Sequence, residues 1–365
     1  MIPLAKPVIG EAEISAVVDV LRSGQLTEGG VVDQFEYRFA QLSGVQHAVA
    51  TTSGTSALHL ALLAHDIGPG DEVITSPFSF IATANAALYV GARPVFADID
   101  PHTLNIDPED VERRITPRTK AILPVHLFGN PADLDRLHAI ARQHGLALIE
   151  NACQAHGATW NSQPVGSVNA GCFSFGLTKN VTSLEGGIIT TNDAELAERA
   201  RLLRSHGTVR AGHHEILGYN FRLSNIHAAI GLEQLARMDA WTRQRQANAF
   251  ILSDLLDGVG IGFQAVLPGA VHVYQQFTVR IPERRDEIAA RLRERGIGCE
   301  VYYPIPIHQQ VLYRKLGYTE HLPEAERAAR ESLSLPIHPS LERHELATIA
   351  LAVSDAINAG VLIAG

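Results

Sequence analysis

Residues 171–193 read GCFSFGLTKNVTSLEGGIITTND and hold a single lysine, Lys179, between two apolar runs. CFSFG (172–176) and GGIITT (186–191) have the β-branched and aromatic content of short buried strands, so Lys179 falls in the polar loop between them. Lysine is scarce in this chain: of 30 basic residues only Lys6, Lys120, Lys179 and Lys315 are lysines. Arginine serves on most surfaces, but its guanidinium stays protonated and forms no imine. A lysine at a strand end is where an amine nucleophile belongs.

Working outward, further short runs read as strands: DEVITS (71–76), RPVFADI (93–99), AILPVHLFG (121–129) and LALIE (146–150). Helix-like segments lie between them, at 56–66, 81–89, 108–115, 132–144 and 194–205. Asp107-Pro108-Glu109-Asp110 carries a helix start in its residue types: a capping Asp, a first-position Pro and acids in the first turn. Apolar strands alternating with helices of this length predict an α/β fold, with a mostly parallel sheet covered on both faces. Ligands on such sheets sit at the carboxyl ends of the strands. A long polar helix at 232–256, HVYQQFTVRIP (272–282), an Arg/Glu-rich helix at 285–295, GIGCEVYYP (296–304) and a last helix near 342–358 predict a smaller α+β domain. The expected division is residues 1–240 for the large domain with its N-terminal arm and 241–365 for the small one.

At 365 residues and 46% hydrophobic content, a sizeable core is available. A net charge of -9 argues against a general nucleic-acid binder. Apolar stretches such as 57–64 are too short to span a membrane. The opening MIPLAKPVIGEAEI lacks the pattern of a signal peptide. Three cysteines, Cys153, Cys172 and Cys299, are too few for a disulfide framework or a zinc knuckle. A cytoplasmic protein is expected. The 17 histidines show no HExxH pattern, and no bound metal is expected. Gly258, Gly260 and Gly262 lack the third glycine and the βαβ setting of a dinucleotide fingerprint.

Two stretches beside the lysine loop carry chemistry. In ATTSGTSALHLAL (50–62), Ser53-Gly54-Thr55-Ser56 joins a strand end to a helix start, and free amides there form an anion site. An ordinary Ser N-cap accounts for the same residues. In LIENACQAHGA (148–158), Asn151, Gln154 and His156 follow a buried strand and are expected to face the crevice, although Asx turns would stabilise such a loop equally well. The other lysines are poorer candidates: Lys6 lies in the terminal arm, Lys120 follows a polar turn, and Lys315 sits in a surface-like stretch.

The order of these features, a Gly-Thr anion turn, a polar cluster after a strand, then strand–Ser–x4–Lys, resembles fold-type I pyridoxal-phosphate enzymes. More narrowly the chain resembles the DegT/DnrJ/EryC1/StrS family of sugar aminotransferases. The similarity runs through VLRSGQLTEGGVVDQFEYRFAQLSG (20–44), SGTSALHLAL (53–62), PFSFIATANAALYVGARPVFADIDPHTLNIDP (77–108), TPRTKAILPVHLFGNPADLD (116–135), GYNFRLSNIHAAIGLEQL (218–235) and YYPIPIHQQ (302–310). The resemblance implies pyridoxal 5'-phosphate joined covalently to Lys179, which then carries protons. It implies a phosphate cradle of Gly54, Thr55 and Ser174, with Asn220 reaching in from a second subunit of a homodimer. Phe80 would stack on the pyridine ring, Gln154 would hydrogen-bond the cofactor's 3-oxygen, and His308 would contact substrate. The implied reaction moves an amino group from L-glutamate to a keto group of a nucleotide-linked deoxysugar. Relatives acting on a cyclitol or an aminobenzoate precursor, a dehydratase and a cofactor-binding regulator are the alternatives. The dehydratase usually replaces the lysine with histidine, which Lys179 opposes, and no basic helix-turn-helix supports the regulator.

One position departs from the family pattern. Where relatives carry an aspartate that pairs with the protonated pyridine nitrogen, this chain has Asn151, after Glu150. Asparagine is nearly isosteric but brings no charge, and such an ion pair shifts a pKa by roughly 1–3 units. Three readings follow: an active enzyme with a weakened electron sink, a variant made to trap an intermediate, or a relative with altered chemistry or a binding role. Leu184, where relatives often have glycine, is a smaller departure.

Overall fold

In the computed structural model, which describes residues 1–359, seven short strands form one sheet. In chain order they are β1 (His47–Thr51), β2 (Glu72–Thr75), β3 (Arg93–Phe96), β4 (Thr119–Leu123), β5 (Ala147–Asn151), β6 (Ala170–Ser174) and β7 (Gly187–Thr191). Their spatial order is β1-β7-β6-β5-β4-β2-β3. β7 runs antiparallel to both neighbours, and the other four pairings are parallel. Every residue of β2 and β7 is buried, as expected of strands covered on both faces. The sheet is the mostly parallel, mixed sheet that the alternation predicts.

Register decides where the loops meet. Thr51 and Ser174 both pair with Gly187, and Asn151 pairs with Cys172. The carboxyl ends of β1, β5 and β6 therefore open at one edge, together with the start of β7. The helix Gly54–Ala64 begins at this edge and packs across the sheet with nine buried residues. It is apolar all round, as a helix enclosed between layers must be. Helices Leu134–His144 and Ala194–Arg204 start under Asp133 and Asp193, whose carboxylates accept backbone N–H groups at 2.8–3.2 Å. Asp107 caps Pro108–Arg113 in the same way.

The C-terminal part has its own three-stranded antiparallel sheet, Gly262–Phe263, Phe277–Arg280 and Ser332–Leu335. Helices Met238–Leu255, Arg285–Glu294 and Arg343–Asn358 cover it around a core that includes Leu252, Val279, Leu292, Leu333 and Ile349. Ile2 from the opposite end of the chain is buried in the same core. Three expectations need correction. The long helix at 232–256 is two helices, Asn225–Leu235 and Met238–Leu255. The run 121–129 is a strand only to Leu123, because Pro124 has no N–H to continue the ladder. Helices Glu11–Ser23, Gly30–Ser43 and Pro323–Glu331 add to the elements that the sequence pattern suggests. Among the described residues no helix is long and apolar enough to cross a membrane.

Candidate active site

The sheet edge holds a cavity of about 350 Å³, lined among others by Gly54, Thr55, Phe80, Asn151, Gln154, Ser174 and Lys179. Seven of the eight residues expected to hold the cofactor thus lie on one wall system. At the helix start, Ser53 Oγ accepts from Ser56 N at 3.1 Å, and Ser56 Oγ accepts from Ser53 N at 2.9 Å. That reciprocal cap uses Ser53 and Ser56. The first helical amides, those of Gly54 and Thr55, have no partner within the helix, and both residues line the cavity. The N-cap and the anion site are therefore neighbours on the same turn rather than alternatives. A Cβ on Gly54 would lie 2.6 Å from Ser174 Cβ and 2.7 Å from Cys153 Sγ, so only glycine lets the turn approach Ser174 this closely. Two amides, the positive helix end and the Thr55 and Ser174 hydroxyls suit a phosphate.

Lys179 follows the turn closed by its N–H to Gly176 O, at 3.0 Å. Burial holds its ammonium pKa below the usual lysine range. A larger fraction of neutral amine makes it a better nucleophile near neutral pH. Burial pushes the Cys153 thiol up to about 11, so it stays protonated and neutral there. Phe80 is 59% exposed and presents an aromatic face at the cavity rim.

Asn151 is held at both ends of its amide. Its Oδ1 accepts from Cys153 N at 3.1 Å, and its Nδ2 donates to Thr83 Oγ1 at 2.9 Å. A backbone N–H only donates, so the atom facing Cys153 must be the oxygen, which fixes the amide's orientation. Gln154 Oε1 accepts from Phe128 N at 2.6 Å, and its Nε2 donates to Tyr303 Oη at 3.0 Å. One Nε2 hydrogen remains for a ligand oxygen. The residues present fit pyridoxal phosphate: Gly54, Thr55 and Ser174 would take its phosphate, Phe80 its ring face, Asn151 and Gln154 its polar edge, and Lys179 its aldehyde. When bound, the group supplies an aldehyde to capture amines and a ring to delocalise charge.

Three expected residues lie elsewhere. Asn220 is exposed and pairs with Ser205 in an isolated bridge, away from the cavity of its own chain. His156 does not face the crevice: it is wholly buried, with its ring 5.0–6.3 Å from those of Phe39, Phe173 and Phe175. His308 is 2% exposed, with Nε2 3.3 Å from Glu326 Oε1 and its ring beside Phe96. It has no open face for a substrate, so the expected contact is withdrawn. Thr83, Cys153, Glu185 and Tyr303 join the site without having been singled out. Cys153 and Glu185 lie inside the recognised stretches, and Thr83 lies one helical turn beyond Phe80. Tyr303 arrives from the distant C-terminal part; it lies inside the recognised stretch 302–310, where only His308 was singled out.

The sequence matches the DegT/DnrJ/EryC1/StrS aminotransferase family over residues 7–354. A "Pleiotropic regulatory protein" of Geobacillus stearothermophilus is 46% identical over 341 residues, covering 91% of each chain. The dTDP-3-amino-3,4,6-trideoxy-alpha-D-glucose transaminase of Streptomyces venezuelae is 43% identical over 349 residues, covering 94% of this chain and 90% of its own. The putative sugar aminotransferase Spr1654 of Streptococcus pneumoniae in its PLP form superimposes with a TM-score of 0.94 at 28% identity, covering 98% and 99%. With a family match over nearly its whole length and a lysine at the cavity where that chemistry needs one, the chain belongs to the DegT/DnrJ/EryC1/StrS aminotransferase family and is a pyridoxal-phosphate-dependent aminotransferase.

Proposed function

We propose that the enzyme moves an amino group from L-glutamate to a keto group of a nucleotide-linked deoxysugar, working as a cytoplasmic homodimer. The observation that carries the proposal is Lys179, half-buried at the cavity that also holds the Gly54–Thr55 amide pair. The Streptomyces relative's name, a transaminase of a dTDP-linked trideoxyglucose, supports the acceptor class. In this reading Lys179 captures and releases the cofactor and carries the proton between substrate and cofactor. Gly54, Thr55 and Ser174 anchor the phosphate, and Phe80 fixes the ring plane. Gln154 and Asn151 orient the polar edge. Asn220 completes the cradle from the partner protomer, which accounts for its exposed place in the single chain. The name of the Geobacillus relative favours a regulatory reading, but such a role needs neither a lysine with a lowered pKa nor an open substrate cavity.

The test is a spectrum of the purified protein with pyridoxal phosphate, before and after L-glutamate. A band near ~420 nm that gives way to one near ~330 nm is expected, these being generic positions for the two cofactor forms. Borohydride reduction followed by peptide mapping should place the adduct on Lys179. An adduct elsewhere, or a colourless protein indifferent to glutamate, defeats the proposal. Assays with dTDP- and UDP-linked keto sugars against keto cyclitols then identify the acceptor.

A further inference from the structure

Lys179 lines a second, much smaller cavity of about 30 Å³, whose wall also includes Lys6, Asn180, Gln234 and Arg245. Two of the chain's four lysines thus meet at one small space. Among the described residues no Asp or Glu lines it. Arg245 is 8% exposed, and its guanidinium has one hydrogen bond, from Nη1 to Tyr274 O at 3.2 Å, with Nε left without a partner. Among the described residues neither Arg245 nor Lys6 has a carboxylate within 4.0 Å. Asn180 Oδ1 is likewise buried and unpartnered.

Glu13, which bonds the Gln234 side chain of the cavity wall, is already used. It is 1% exposed and is bonded by Arg237, by Gln234 Nε2 and by Gly10 N. His338, buried close by, has its pKa pushed down to about 4 by burial and then by the charge of Arg245, so it stays neutral near neutral pH. Burial also lowers the pKa of Arg245, to about 10, which still leaves it charged. A buried, unpaired guanidinium is expensive unless an anion answers it. Each water-sized sphere needs roughly 10–15 Å³ of such space, so the cavity takes about two heavy atoms. The two oxygens of one carboxylate fill that space with their carbon left at its mouth, whereas a phosphate's four oxygens or a sugar do not fit.

We infer that this cavity, between Lys6 and Arg245, receives one carboxylate of the amino-acid donor while the donor's amine would take the place of the Lys179 amine on the cofactor's aldehyde carbon. The inference rests on the aminotransferase reading above and assigns it a donor subsite. It also gives the N-terminal arm a part in binding, since Lys6 closes the subsite from the surface and Arg245 from the interior.

The probe is glutarate, which has glutamate's carbon skeleton without the amine and therefore binds without reacting. Calorimetry on the full-length protein with pyridoxal phosphate bound should show saturable binding that weakens with ionic strength. Lys6→Met should raise the glutarate Kd about tenfold, the loss expected for one charge-assisted bond. Lys6→Arg should restore most of it. The glutamate concentration needed for half-maximal conversion of the cofactor band should rise by the same factor, with the limiting rate little changed. Lys6 is exposed and its replacement leaves the core intact; Arg245→Lys is the interior counterpart if it folds. Unchanged glutarate affinity in Lys6→Met overturns the subsite. Chloride that binds as tightly as glutarate assigns the cavity to a free inorganic ion and overturns the donor role. A protein without any cofactor band refutes the aminotransferase reading instead, while the same calorimetry still decides whether the cavity takes a carboxylate.

Discussion

At Asn151 the structure shows what an aspartate would meet. Cys153 N would donate to a carboxylate as it does to the amide oxygen. Thr83 Oγ1, which now accepts from Nδ2, can reverse and donate, because a hydroxyl does both. Ser79 Oγ, 2.9 Å from Thr83 Oγ1, can take over the bond that Thr83 then ceases to accept. Asn151→Asp is therefore accommodated without repacking. A restored charge shifts a partner's pKa by roughly 1–3 units, so the half-reaction with the proposed donor, glutamate, should quicken about tenfold or more. Stopped-flow absorbance decides the matter. No gain, or a loss, means the site is not built around a charged ring nitrogen. Gly54→Ala is the opposite case: its Cβ has no room against Ser174 and Cys153. The variant should lose about 1–3 kcal/mol of stability and bind pyridoxal phosphate more weakly, measured by denaturant unfolding and cofactor titration.

Among elements, the helix Gly54–Ala64 links stability to the site, since its first turn is both cap and cradle. Ser53→Ala removes an acceptor from Ser56 N and should lower stability by about 1 kcal/mol while also weakening cofactor binding. Asp193→Ala removes the cap of Ala194–Arg204, away from the cavity, and should lose about as much stability with unchanged cofactor affinity. Equal cofactor loss in both variants would separate the cap from the cradle. This helix, the capped helices and the buried strands were legible because their signals are local: an apolar run, a capping residue, a glycine. Elements whose boundaries depend on distant packing were not. Nothing between Leu235 and Met238 marks a break, as neither Gly nor Pro lies there. Ser332–Leu335 is a strand because Phe277–Arg280 lies alongside it. The site divides in the same way. Gly54, Ser174 and Lys179 carry their chemistry in their residue types, whereas the place of Tyr303 depends on the far end of the chain. His156 and His308 read as polar site residues, yet the aromatic rings around them make them buried packing groups.

The whole molecule responds to acid through such histidines. Burial holds His156 and His272 down to about 3, and burial holds His338 to about 4, all from an ordinary 6.5. The unfolded chain binds protons at these sites below pH 6.5 and the folded chain does not. Stability is therefore complete above 6.5 and drains as pH falls toward 3–4, by up to about 1.4 kcal/mol per pH unit for each group. Melting temperatures should hold from pH 7.5 to about 6.5 and fall from there to pH 5; a flat profile throughout would show that water reaches these rings in the folded protein. Assembly is the remaining property at this scale. Asn220 stands exposed and off its own cavity, while Lys179 lines that cavity. If the partner's Asn220 completes each site, a Lys179→Ala protomer and an Asn220→Ala protomer fail separately for different reasons. In a mixed two-fold dimer one site inherits both defects and the other inherits neither. Random exchange makes half the dimers mixed, so about a quarter of the parent activity should return when the two inactive proteins are mixed. Activity that stays absent after exchange, verified by mass spectrometry of the mixed dimer, would mean that Asn220 acts within its own chain or not at all.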